Sequence, residues 1–222
     1  SIQVLPTNVG LVAIPPVQID PNIELSGLDP AAFGIASVTV PPRRVYQRGA
    51  TSLQWNAEDR NGDKLVFDVY YREVAESEFK LLRGELSDPF IAIDGQSLAD
   101  GQYVFRIVVR DTPSNPTGMA LAGEKLTEPI HIDNTPPIVT VVSNTSGQIV
   151  FQAIDGASYI TRAEFSLNAG EWTPIYPEDG ISDSQTERYI VTLPTAPGEY
   201  SVTLRAYDVN GNSGNARGVV KK

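Results

Sequence analysis

The chain has 222 residues, 41% of them hydrophobic, which is enough to bury a core in each of two domains of roughly 100 residues. It carries 17 basic and 27 acidic residues, one histidine and no cysteine. This composition excludes disulfides, thiolate metal sites, a thiol nucleophile and a zinc site built from several histidines. The excess acid is spread over both halves, with 11 basic and 18 acidic residues up to Asn134 and 6 against 9 beyond it. Scattered lysines and arginines on an acidic surface do not release counterions from a phosphate backbone, so no nucleic-acid partner is expected.

The N-terminal "SIQVLPTNVG" has no basic stretch followed by an apolar block, so either a leader was removed or the chain is part of a longer protein. No apolar run approaches the length of a membrane helix, and no membrane insertion is expected. Residues 20–44 read as an extension or insertion. Within it "DPAAF" offers a short helix, with Asp29 as cap and Pro30 in the first helical position. "TSLQWNAED" at 51–59 then predicts a strand, followed by "FDVYYR", in which Phe67, Val69 and Tyr71 point inward. A further short strand is expected around 79–82.

"DGQYVFRIVVRDTPSN" at 100–115 alternates strictly: Tyr103, Phe105, Ile107 and Val109 fall on one side. Period two means a strand with one buried face, since a helix would scatter these residues around its axis. "GMALAGEK" at 118–125 has the glycine spacing of a phosphate loop, but Glu124 stands where that loop needs lysine. His131 lies between Ile130 and Ile132 on the last strand of this half, a plain strand position that offers no triad partner.

"HIDNTPPIV" at 131–139 marks a boundary, because Pro136 and Pro137 cannot donate to a ladder and stiffen the chain. Beyond it the pattern repeats. "GQIVFQAID" at 147–155 matches 51–59, with Ile149 and Phe151 in the places of Leu53 and Trp55. Ala163, Phe165 and Leu167 alternate inward in "AEFSL", and a short strand is expected around 172–175. "PGEYSVTLRAYDVNGN" at 197–212 repeats the tyrosine-led alternation through Tyr200, Val202, Leu204 and Ala206. The fold class predicted is all-β: two antiparallel β-sandwiches in tandem, at 1–134 and 135–222.

The run "SLQWNAEDRNGDKLVFDVYYR" with "LADGQYVFRIVVRD" resembles the fibronectin type III module, Trp55, Tyr71 and Tyr103 falling on its core positions. The second half is similar to bacterial immunoglobulin-like repeats and to the sandwich that follows β-propellers in some bacterial sensors; "DNTPP" looks like the junctions of tandem bacterial surface modules. The resemblance implies a corner tyrosine whose hydroxyl returns to backbone, an extracytoplasmic parent (periplasmic, secreted or cell surface) and no shared active site.

Two constellations remain. "DRNGD" at 59–63 and "DVNGN" at 208–212 each place oxygen side chains at alternate positions, but neither fits an EF-hand, and the first reads as a turn. In an immunoglobulin-like sandwich the loops after the second and sixth strands share an end with the N-terminus. Asp155 and Asp208 are therefore expected beside the linker residues Asp133 and Asn134, with Asp100 facing them, as a candidate calcium site. Tyr70, Trp172 and Tyr207 occupy outward strand positions and are candidates for carbohydrate or other ligand binding, against the plainer role of cross-strand packing. The expected function is a non-catalytic module pair for spacing, adhesion or protein binding. Protein partners or other domains of the same chain are expected, with a ligand-binding accessory or sensor module as the alternative.

Overall fold

The computed structural model describes residues 1–14, 41–116 and 118–222. The helical turn expected at "DPAAF", and the expected insertion as far as residue 40, lie outside the described residues. Those described form two compact units, Ser1–Val69 with Leu81–Ile93 and Ile107–Leu126, and Tyr70–Lys80 with Asp94–Arg106 and Thr127–Lys222.

In the N-terminal half, β1 (Ile2–Val4), β4 (Ala50–Trp55) and β7 (Phe90–Asp94) form a three-stranded sheet in the order β1-β4-β7. A second sheet runs β10-β8-β5-β6, from β10 (Ile130–Ile132), β8 (Gly101–Arg110), β5 (Val66–Glu73) and β6 (Lys80–Leu86), with β9 (Ala122–Leu126) also on β8. A two-stranded ribbon pairs β2 (Val9–Val12) with β3 (Arg43–Tyr46). Leu53 and Phe105 are fully buried, and Trp55 of β4 meets Phe67 of β5 edge to face with centroids 5.4 Å apart. The indole and the phenyl ring therefore join side chains from two different sheets, the packing that a sandwich requires.

The C-terminal half repeats this plan. β11 (Ile138–Asn144), β12 (Gln148–Ile154) and β15 (Thr186–Thr192) form one sheet in that order. The other is ordered β14-β13-β16-β17, from β14 (Thr173–Ile175), β13 (Ile160–Leu167), β16 (Glu199–Asp208) and β17 (Ser213–Lys221). One hydrophobic cluster joins Ile149, Phe151, Tyr189 and Val191 of the first sheet to Ile160, Val202, Leu204 and Ala206 of the second. All paired strands with a recorded register are antiparallel.

The tyrosine-led alternation holds along the strand of the second half, where Tyr200, Val202, Leu204 and Ala206 are buried. In the first half Tyr103, Phe105 and Ile107 are buried as expected, but Val109 is only half-buried and Val104, expected to face outward, is buried too. The Tyr103 hydroxyl donates to the Ala99 carbonyl and the Tyr200 hydroxyl to the Ala196 carbonyl, each at 2.9 Å across four residues. Each ring thus packs inward while its polar tip is satisfied by the corner that precedes its strand.

One outward position behaves differently. Asp68 lies between Phe67 and Val69 yet is only 6% exposed. Arg110 pairs with it at 2.7 Å and the Glu85 amide donates to it at 3.0 Å, so the carboxylate is covered and compensated at once. Glu85 has a positive φ of 56°, which turns its amide toward Asp68.

Candidate functional site

Three aspartates stand where strands end: Asp133 just after β10, Asp155 just after β12 and Asp208 as the last residue of β16. Each uses one oxygen to shape its own turn. Asp133 Oδ1 accepts from the Thr135 amide at 3.1 Å. Asp155 Oδ1 accepts from the Ala157 and Ser158 amides at 2.8 and 2.7 Å, and Asp208 Oδ1 from the Asn212 amide at 2.8 Å. These are local Asx turns, the chemistry that favours aspartate at such corners.

The three carboxylates converge. One carboxylate oxygen from each of the three lies within 4.8 Å of the others, and the residues are 6%, 3% and 2% exposed. Asp133 Oδ2 accepts from Asn210 Nδ2 at 3.1 Å, and Asp208 Oδ2 from Asn212 Nδ2 at 2.8 Å. Asn212 Nδ2 also donates to the Asp133 carbonyl at 2.9 Å. Asp155 Oδ2 is buried and has no hydrogen-bond partner. Burial pushes the Asp208 carboxyl above its ordinary range; the Asn212 hydrogen bonds oppose this, while the charges of Asp133 and Asp155 add to it.

Asp100 and Asn134, expected beside these aspartates, are engaged elsewhere. Asp100 accepts from the Asn134 amide at 2.7 Å and from the Thr135 hydroxyl. The Asn134 side chain donates to the Gly95 and Leu98 carbonyls at 3.2 and 3.0 Å. Burial raises the Asp100 carboxyl, but the bonds from Thr135 and Asn134 outweigh it and hold the group below its usual value. Asp100 thus braces the linker, and the acidic cluster consists of Asp133, Asp155 and Asp208. Asn210 and Asn212, which line it, are visible in "DVNGN", but only the topology shows that they face Asp133.

A second acidic group, Asp59, Asp63 and Asp111, gathers at the first loop. Asp59 accepts from the Asn61 and Asp63 amides at 2.7 and 3.2 Å, Asp63 from Asn115 Nδ2 at 2.9 Å and Asp111 from the Leu121 amide at 2.7 Å. This is the turn architecture read from "DRNGD". Asp111 comes from a distant segment that local spacing does not connect to that loop.

The outward aromatics are capped by guanidinium groups. Arg106 lies 4.7 Å from the Tyr70 ring centroid, Arg162 3.6 Å from that of Tyr207, and Arg205 4.1 Å from that of Trp172. Glu164 Oε1 accepts from Arg205 Nε at 3.0 Å and from the Tyr207 hydroxyl at 2.7 Å. Burial raises the Glu164 carboxyl, but the hydrogen bonds and charges of Tyr207, Arg205 and Arg162 bring it below its ordinary value. Tyr207 and Trp172 therefore belong to a cross-strand cation–π ladder on β13, β16 and the segment before β14. Trp172 remains 40% exposed.

His131 is exposed and paired with Gln102 in the ladder. The near-match to a phosphate loop runs into β9, a strand where a phosphate loop requires a helix. Among the described residues, no helix is long and apolar enough to cross a membrane.

The strand orders define an all-β class of immunoglobulin-like sandwiches, antiparallel sheets packed face to face. No protein-family model matches the chain, and no curated protein matches it. Among solved structures it is similar to the fibronectin(III)-like modules of Clostridium thermocellum CbhA, at 16% identity over 78% of this chain and 86% of that one, with a TM-score of 0.41. It is also similar to the chicken interferon gamma receptor alpha chain, at 11% identity over 78% and 91%, TM-score 0.35. The FN1–FN3 domains of chicken CNTN1 match at 11% identity over 82% and 70%, TM-score 0.39.

Proposed function

We propose that the chain is a non-catalytic pair of modules, residues 1–134 and 135–222, that spaces or presents binding surfaces for protein partners within a larger extracytoplasmic protein. The observation that carries this reading is the hydrogen-bonded linker. Asn134 is held through its amide by Asp100 and through its side chain by Gly95 and Leu98, and the Asp133 carbonyl is held by Asn212. A segment whose polar groups are engaged on both sides of the Asp133–Asn134 step suits a structural module. The sole histidine sits on an exposed strand position, which offers no base to activate a nucleophile. Amide order parameters from 15N relaxation test the reading: Asn134 and Thr135 should match the strands at about 0.85, and values below about 0.6 would sink it.

Ligand recognition is a second reading, favoured by the exposure of Trp172 beside Tyr207. In this reading the ligand is a carbohydrate or another group that stacks on aromatic rings, and Tyr70 would serve in the same way. A glycan array with the intact chain and with Trp172→Ala and Tyr207→Ala decides it: binding that survives both changes removes these residues from the site. The guanidinium groups over the rings weigh against sugar stacking.

A further inference from the structure

We propose that Asp133, Asp155 and Asp208 form a calcium site, built by three separate loops and closed by the Asn210 and Asn212 amides. Three observations carry it. The carboxylates converge within 4.8 Å while almost wholly buried. Among the described residues, no lysine or arginine forms an ion pair with any of them. Asp155, one of the three and only 3% exposed, carries a buried oxygen, Oδ2, without a hydrogen-bond partner.

A buried carboxylate oxygen without a donor is costly, and so is the gathering of three buried carboxylates in one place, unless a cation completes them. The turn amides already hold one oxygen of each of two carboxylates, Asp155 Oδ1 through Ala157 and Ser158 and Asp208 Oδ1 through Asn212. The carboxylates are therefore oriented before any ion arrives, and binding need not order them. The donors facing one another are all oxygens, which selects a hard cation over zinc or copper. Calcium accepts flexible geometry from oxygen ligands, whereas magnesium demands a near-ideal octahedron and keeps several of its waters, so a nearly buried set of loop carboxylates suits the larger ion. A half-turn of the Asn210 side-chain amide replaces its nitrogen with its oxygen and adds a neutral ligand.

The second acidic group provides an internal contrast. Asp59, Asp63 and Asp111 are closer to solvent, with only Asp111 buried, and no oxygen of theirs is both buried and unpartnered.

The test uses the full chain, stripped with a chelator and returned to chelator-free buffer. Calcium chloride titrated into it should release or absorb heat with one ion per chain, and about 5 mM calcium should raise the melting temperature by roughly 5 °C, with magnesium giving much less. In 15N spectra of the unaltered chain, the amides of Ala157, Ser158 and Asn212 should shift most. Asp155→Asn should remove the heat and the melting shift, with Asp208→Asn in its place if that variant does not fold; Asp63→Asn should leave both intact. Absence of heat and of any melting shift at about 5 mM calcium overturns the site. So do shifts centred on Asn61 and Asp63, or a response that Asp63→Asn removes and Asp155→Asn preserves. None of these readouts depends on linker rigidity, so the site and the spacer reading can fail separately.

Discussion

Asp208 and Glu164 are both shielded carboxylates on the C-terminal half, yet they act on stability with opposite sign. Asp208 has a raised folded-state pKa, first through burial and then through its acidic neighbours. Its contribution is fully present below the unfolded value near 3.8 and is lost as pH rises through the folded value. Glu164 is held below its ordinary 4.5, so its contribution is present above that value and is lost as pH falls through the lower folded one. In chelator, Asp208→Asn is therefore expected to raise the melting temperature at neutral pH and to lose that advantage near pH 4. Melting curves at the two pH values check this, and a variant less stable than the parent at neutral pH would contradict it.

At the level of elements, β17 comes very close to the residue that precedes β11. A Cβ placed on Gly214 would lie 1.7 Å from the Pro137 carbonyl oxygen, backbone that has little room to move beside Pro136. Gly214→Ala should cost about 2–4 kcal/mol in urea unfolding, from overpacking rather than from any lost contact. The strands themselves were legible because a period of two survives whatever packs on them: β16 buries the side predicted, β8 does so at Tyr103, Phe105 and Ile107 while also covering Val104, and Phe151 takes the core place assigned to it. The burial of Asp68 was not legible, since it depends on Arg110 and on the Glu85 turn, both far along the chain. The neighbourhood of Asp133, Asp155 and Asp208 followed from loop order in the sandwich. The separate bracing role of Asp100 did not, because a sequence does not show which of two nearby carboxylates faces a given amide. Arginine over Trp172 and Tyr207 was likewise hidden, as cross-strand register decides it.

For the whole molecule, the question is where the second module begins. Among the described residues, the hydrophobic cluster of the C-terminal half runs from Val139 to Val220, and we propose from it that this half folds alone. We expect a fragment of residues 132–222 to unfold cooperatively. A fragment of 136–222 should be weaker by about 1–2 kcal/mol, because Asn210 and Asn212 lose the Asp133 oxygens they donate to. Denaturant titration of the two fragments measures the difference, and equal midpoints would leave residues 132–135 outside the folded half. The paired tyrosine corners also bear on how the chain reaches this state. Each hydroxyl clasps a carbonyl only four residues back, whereas β1 must find a partner more than fifty residues downstream, Ile2 against Trp55. Closing so short a loop costs little chain entropy. The two corners are thus available as nucleation points, each seating the first aromatic ring of its longest strand before distant partners dock.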